Sequence, residues 1–400
     1  MKESVTQLAT EVNNRFEQYL LSLDKATVMS GRKTRQMKEL EDSEQYEARR
    51  ELLFIEELAT KKREEIESKE NSYIAQIERE FHDVLMLEMD KQLCDTSELM
   101  RQHLKLEPAV GRLLDVLYTE ACTISKLVEC IEPLPWLTKS IINFIRQPKY
   151  RRVDSQGHPL IIKTLRGAVS FIGIDSLRKL IPALIAKYLM PPNSTYMPDM
   201  KKHLWLYTIG AGNVANTLAS SMDIKPHFGF NIGLLSIIGR SAVASVYLKR
   251  FDNVLQDVVT DARKKNDHNL AEKLTGLVPS QKYLISCWKK YADSVTANVI
   301  SKLKLRWMMI APGFQDNLKI RQLSYQYLEE QKLHPLTHLL FKSQGYMHFK
   351  LLQQNKLITK EASALYLRNY GVNDVDIAML SKINLTGLEL KIAEKIEEES

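Results

Sequence analysis

The sequence predicts an all-α protein, and three observations carry the prediction. Proline is absent until Pro108 and the only glycine before it is Gly31, so the first quarter, rich in Glu, Lys, Arg, Leu and Ala, runs almost without a helix breaker. Beyond Pro108, apolar residues recur at helical spacing in segments punctuated by Pro and Gly. No segment alternates apolar and polar residues convincingly over strand length. The TLRGAVSFIG run is short enough to be ambiguous, but its neighbours argue for helix.

Leu8, Val12, Phe16, Tyr19, Leu20 and Leu23 share one face and predict an amphipathic helix, with Ser30-Gly31 as the turn that ends it. A second long helix is predicted from about Thr34 to Leu93, with Ser68–Asn71 as a candidate break. Its apolar positions include Leu52, Ile55, Ile66, Tyr73, Ile77, Phe81 and Val84, but Lys62, Glu70 and Glu80 interrupt the seam of a sustained coiled coil. Two arrangements stay open: a charged helical hairpin packed on the body or a neighbour, and a coiled coil joining two copies.

Shorter helices are predicted next at Ala109–Tyr118, Thr123–Cys130, Pro135–Arg146, Ile161–Phe171 and Ser176–Leu189, before a polar break at Pro191-Pro192-Asn193-Ser194. Longer ones follow at Lys201–Ser221, Gly229–Phe251 and Tyr283–Lys304. The tail from Pro312 is helical again, with Thr359 the expected N-cap of a helix over Lys360–Tyr370. The domain division this suggests is a charged hairpin or coiled-coil segment (1–104), a multi-helix domain (105–310) and a helical C-terminal extension (311–400).

Charge is divided unevenly. The net charge is +7, yet residues 1–104 hold 16 Lys and Arg against 23 Asp and Glu, while the remainder holds 40 against 26. An acidic first quarter beside a basic body suggests different partners or a segment that folds back on the body. No secretory leader is recognised and no apolar run reaches the ~20 residues that span a bilayer. The most apolar run, Phe230–Val246, is interrupted by Asn231, Ser236, Arg240, Ser241 and Ser245 and reads as buried core. Cys94, Cys122, Cys130 and Cys287 form no CxxC pair and read as reduced thiols, which points to the cytoplasm.

Several patterns that could carry chemistry resolve into structural ones. His82-Asp83 lacks a second His one turn away and is expected on a solvated helix face. His334 and His338 could share a helical face, as zinc ligands do, but Pro335 should start the helix there and no third ligand is evident. Gly210 and Gly212 lie inside a helix, where close packing explains them better than a phosphate loop. No Gly-x-Ser-x-Gly elbow is present. Two basic clusters with aromatics, Lys149-Tyr150-Arg151-Arg152 and Lys302, Lys304, Arg306, Trp307, Lys319 and Arg321, have the character of phosphate-tracking patches. They could equally attract the acidic N-terminal segment or a partner protein.

From about Leu106 to Lys304 the chain resembles the HDOD family, helical relatives of the HD-domain phosphohydrolases. Three blocks carry the resemblance in order. The first is ISKLVECIEPLPWLTKSIINFIRQPKY, with Glu132-Pro133 at the family's Asp-Pro. The second is IIKTLRGAVSFIGIDSLRKL, and the third is HLWLYTIGAGNVANTLA followed by FNIGLLSIIGRSAV. In the last block Gly233, Leu234, Leu235, Ile238 and Gly239 keep the family frame, but Ser236-Ile237 stands where His-Asp would be. Tyr207 falls where metal-binding relatives carry a His, and Ser280 where another is expected. A serine hydroxyl is a weak neutral ligand, isoleucine none, and a phenol must lose a proton to contribute.

The resemblance therefore implies the fold and not the reaction: no metal, no cofactor, no catalytic residue, and a bacterial signalling or scaffold role through protein–protein contacts. Self-association through residues 1–104 is expected to be available. A residual metal-dependent phosphohydrolase and a nucleic-acid-associated regulator using the basic patches are the alternatives. Nucleic acid is the less favoured partner, and a membrane is not expected as one.

Overall fold

Local sequence chemistry sets most helix boundaries. Ser22, Thr123, Thr164, Asp267, Thr359 and Asn373 each accept a hydrogen bond from a first-turn N–H, so these polar side chains start helices. Pro108, Pro135, Pro226 and Pro335 occupy first-turn positions, where the missing N–H costs nothing.

The computed structural model describes residues 2–34, 37–38, 54–150, 162–320 and 332–390, and among them all regular secondary structure is helical. The helices are α1 (Lys2–Leu21), α2 (Leu23–Met29), α3 (Phe54–Cys94), α4 (Pro108–Val116), α5 (Ile124–Ile131), α6 (Pro135–Ile145), α7 (Leu165–Ile172), α8 (Ile174–Tyr188) and α9 (Met200–Ala219). There follow α10 (Pro226–Leu235), α11 (Ile238–Lys264), α12 (His268–Thr275), α13 (Gln281–Lys302), α14 (Ala311–Ile320), α15 (Pro335–Gln354), α16 (Lys360–Asn369) and α17 (Asp374–Leu380). A π-helical turn, Leu99–Leu104, links α3 to α4 and ends on Lys105 in the left-handed region at φ 49°.

The first predicted helix is two: Ser22 accepts from Lys25 N–H and opens α2, so the chain bends inside the expected segment. α1 buries Val12, Phe16, Tyr19 and Leu20 against α9, α13, α15 and α16. α3 runs unbroken through Ser68–Asn71 and lies on α11, α12 and α13, with Lys273 of α12 paired to its Glu70. Its buried stripe is Ile77, Phe81, Leu85, Met89 and Leu93. Tyr73 and Val84, expected on the apolar seam, are exposed. Both N-terminal helices are thus docked on the body.

The helix predicted over Gly229–Phe251 is also two, broken at Ser236-Ile237 between α10 and α11. The window over Pro226–Lys264 is apolar enough in composition to match a membrane span, yet 83% of it is buried inside the protein. It is the core the sequence suggested. Among the described residues no other helix is long and apolar enough to qualify.

Candidate functional site

Small residues bring α9 and α10 together. A Cβ at Gly229 would strike Ala215, one at Gly233 would strike Ala211, and one at Gly212 would press on the Phe230 ring. Tyr207 of α9 and Ile237, just beyond α10, are both wholly buried in the same core. On the next turn a Cβ at Gly239 would strike the Ala292 carbonyl of α13, and Gly239 N–H donates to Thr296 Oγ1 at 2.9 Å. The retained glycines therefore serve helix approach, as does Gly210, whose missing Cβ makes room for Met347.

Three of the four positions where the resemblance expects ligands, Tyr207, Ser236 and Ile237, are buried. Ser236 donates its hydroxyl to the Gly233 carbonyl at 2.7 Å, and Ile237 is wholly enclosed by core. Tyr207 is fully buried, and burial pushes its phenol up to about 12, against the opposing pull of Arg240. Its ring packs 5.3 Å from Phe16 and 5.5 Å from His348.

One turn beyond Ser236, Arg240 carries a positive charge into this locus. Its guanidinium lies 5.7 Å from the Tyr207 ring centroid and donates to Glu17 of α1 at 2.7 Å, with the two side chains 13% and 11% exposed. Burial alone would lower its pKa; Glu17, Tyr207 and Asp293 outweigh that and keep it charged. His348 of α15 stacks on Phe16 at 3.8 Å, and its Nδ1 lies 2.8 Å from Tyr366 OH. Burial, then the charge of Arg240, holds its imidazole well below the usual histidine range. Glu17 Oε2, Tyr207 OH, Arg240 Nε, Ser241 Oγ and His348 Nε2 are buried without a hydrogen-bond partner among the described residues.

This donor set does not fit a divalent cation. Ser236 is committed to a carbonyl, Ile237 offers no lone pair, Tyr207 keeps its proton, and a guanidinium already sits where a cation would have to compete with it. Among the described residues, no three His, Cys, Asp or Glu side chains form a metal-binding group.

Ser280, the fourth degenerate position, is engaged elsewhere. Its N–H donates to Tyr247 OH at 2.9 Å, and Tyr247 lies two turns, roughly 10 Å, beyond Arg240 along α11. There His82 completes a second polar centre. Its Nε2 lies 3.1 Å from Tyr247 OH, its Nδ1 2.7 Å from the Glu78 carbonyl, and its ring stacks on Tyr283 at 3.6 Å. His82 was expected on a solvated face; it is instead 1% exposed, because α3 turns that face onto α11 and α13.

Comparison with known families places this architecture. The HDOD domain profile matches residues 105–280. The chain carries an HDOD domain. A solved structure from Shewanella amazonensis SB2B, provisionally named a metal-dependent phosphohydrolase, is similar over 75% of this chain and 99% of its own, at 14% identity and a TM-score of 0.39. No curated protein matches.

The residues sequence reasoning missed as a site are Glu17 and His348, which reach the HDOD domain's degenerate locus from α1 and α15, outside the matched segment. Arg240 was seen only as an interruption of an apolar run. A charge in the most apolar stretch was itself the signal that it would be buried and paired. His334 accepts from Leu336 N–H and caps α15, in line with a helix starting at Pro335.

The basic clusters are only partly described. Arg151, Arg152 and Arg321 lie outside the described residues, as do the side chains of Lys149 and Lys319. Lys302 and Lys304 line a cleft of about 680 Å3 beside the HDOD domain's first helix, α4. The backbone N–H groups of Arg306 and Trp307 donate to Asp115 at 2.8 and 2.6 Å, leaving the Trp307 ring exposed.

Proposed function

We propose that this is a non-catalytic bacterial signalling or scaffold protein that acts in the cytoplasm through protein–protein contacts, its HDOD domain having lost the HD metal site. The observation that carries the reading is the buried Arg240–Glu17 pair beside Tyr207, one turn beyond Ser236. A charged guanidinium occupies the locus where relatives need ligands for a cation, and its carboxylate partner comes from α1, outside the HDOD match. The locus then works as an anchor between the N-terminal helix and the domain. α3 offers a contact surface as well: Tyr73, Val84 and Leu87 are exposed and fall on one helical face, which supports a partner protein or a second copy docking through residues 1–104.

Elemental analysis of the purified full-length protein, with a phosphatase and phosphodiesterase assay in added Mn2+, tests the reading. Sub-stoichiometric metal and no hydrolysis are expected. One tightly bound Fe, Mn or Zn per chain, or metal-dependent hydrolysis by the purified protein, would overturn it.

A further inference from the structure

The π-helical turn, the 190–196 loop and the middle of α11 line an open cavity of about 700 Å3, within the size range of small-molecule sites. It lies beyond the Arg240 centre along α11, and nothing in the proposed signalling role accounts for it. Its walls differ in chemistry. His103 and Lys105 come from the π-helical turn and its end, Lys249 and Asp252 from α11, and Asn193 and Tyr196 from the loop.

The two lysines are exposed, and neither has an ion-pair partner among the described residues. They are two exposed ammonium groups at one cavity, whose lining also includes the Asp252 carboxylate. His103 adds a third nitrogen-bearing side chain, its Nε2 3.0 Å from Gln92 Oε1. Burial, then the nearby Lys249 and Arg250, depresses its pKa, a sign of the positive field on this wall. Tyr196 of the loop, also in the lining, is 48% exposed. Asp252 supplies acceptors and Asn193 both a donor and an acceptor. The backbone here is unusual as well. π-helical turns gather at functional sites, and Lys105 holds a left-handed conformation that a non-glycine residue adopts only when its surroundings impose it.

We propose that this cavity binds a nucleoside phosphate. Lys105 and Lys249 take the phosphate groups, Asp252 accepts from the ribose hydroxyls, and the base stacks on Tyr196 with Asn193 at its edge. Two cations alone would suit any polyanion. The combination with an exposed ring, a carboxylate and an amide selects a ligand with a planar, hydroxyl-bearing part. The proposal does not depend on the fate of the HD positions, because it uses none of them.

Isothermal titration of the full-length protein with ATP, GTP, AMP and GMP at physiological salt tests it, with inorganic pyrophosphate as the base-free probe. At least one nucleotide should bind saturably with 1:1 stoichiometry. Lys105→Glu and Lys249→Glu should each weaken it about tenfold or more, as expected for losing a charge-assisted contact. Tyr196→Ala should weaken nucleotide binding while leaving pyrophosphate unchanged. These side chains are exposed, so an unchanged circular-dichroism melt will verify the fold of each variant. Absence of saturable binding by all four nucleotides would overturn the proposal. So would affinity indifferent to Lys249→Glu but lost in Lys302→Glu, which would place the ligand in the neighbouring cleft that Lys105 also lines. Pyrophosphate binding as tightly as every nucleotide, with no effect of Tyr196→Ala, would overturn the nucleoside assignment.

Discussion

Two buried polar centres fasten the N-terminal helices to the HDOD domain, and they do it by opposite means. At the first, α1 is held by an ion pair, Glu17–Arg240, among aromatic rings and several polar atoms that lack hydrogen-bond partners among the described residues. At the second, α3 is held by a neutral chain in which Glu78 O, His82, Tyr247 and Ser280 satisfy one another. A charged anchor depends on both partners, since either alone is a buried uncompensated charge. A neutral one loses only the bond removed. The first is therefore strong against competing conformations and fragile to substitution; the second is tolerant. Each lies beside a position where the family resemblance leads one to expect a metal ligand, Tyr207 and Ser236 at the first and Ser280 at the second.

The largest effect should come from splitting the charged anchor. Glu17→Ala strands Arg240 in the core and is expected to cost about 3–5 kcal/mol, read from urea unfolding. Arg240→Met should be similarly damaging through the stranded Glu17. The double variant Glu17→Met/Arg240→Met should recover most of that loss, because apolar side chains of like volume can replace a buried pair at little cost. Additive losses in the double variant would show that the pair is not the anchor. The neutral centre should yield less. His82→Phe keeps a ring against Tyr283 and leaves Tyr247 bonded to Ser280, so the same measurement should fall by about 1–2 kcal/mol.

The contrast also explains what could be read in advance. The helices, their proline starts and the Thr359 cap were legible because they rest on local chemistry, and the retained glycines were legible as packing residues. The breaks at Ser22 and Ser236-Ile237 were not, since each interrupts a helical pattern that continues on both sides. At the site, the poor ligand chemistry of Tyr207 and Ser236 could be read from residue type alone. What surrounds them could not. Glu17, Arg240 and His348 are each more than a hundred residues apart, and only the tertiary fold brings them to one locus. His82 misled because its neighbours in sequence are charged, while the face that matters is defined by Phe81, Leu85 and the helices above them.

The smallest and most general expectation concerns pH, and it separates the two anchors once more. Both contain a histidine whose pKa lies below its unfolded value of about 6.5: His348 through burial and Arg240, and His82 through burial against a partial opposing pull from Glu78 and Asp83. The unfolded chain then binds protons that the folded chain refuses, so stability is full above about pH 6.5 and declines as pH falls below it. The unfolding midpoint should drop between pH 7.5 and 5.5, before most carboxylates titrate. His103, His203 and His227 are shifted the same way, the last to about 4, so the total slope is shared and the variants must apportion it. His348→Gln should flatten the slope more than His82→Phe, because a neighbouring cation opposes protonation of His348 while carboxylates favour that of His82. In the Glu17→Met/Arg240→Met background the slope should persist, since burial is the larger cause for His348. Equal flattening would mean that both imidazoles stay neutral in the folded chain throughout this range, and the electrostatic distinction between the two centres would then not show in the slope.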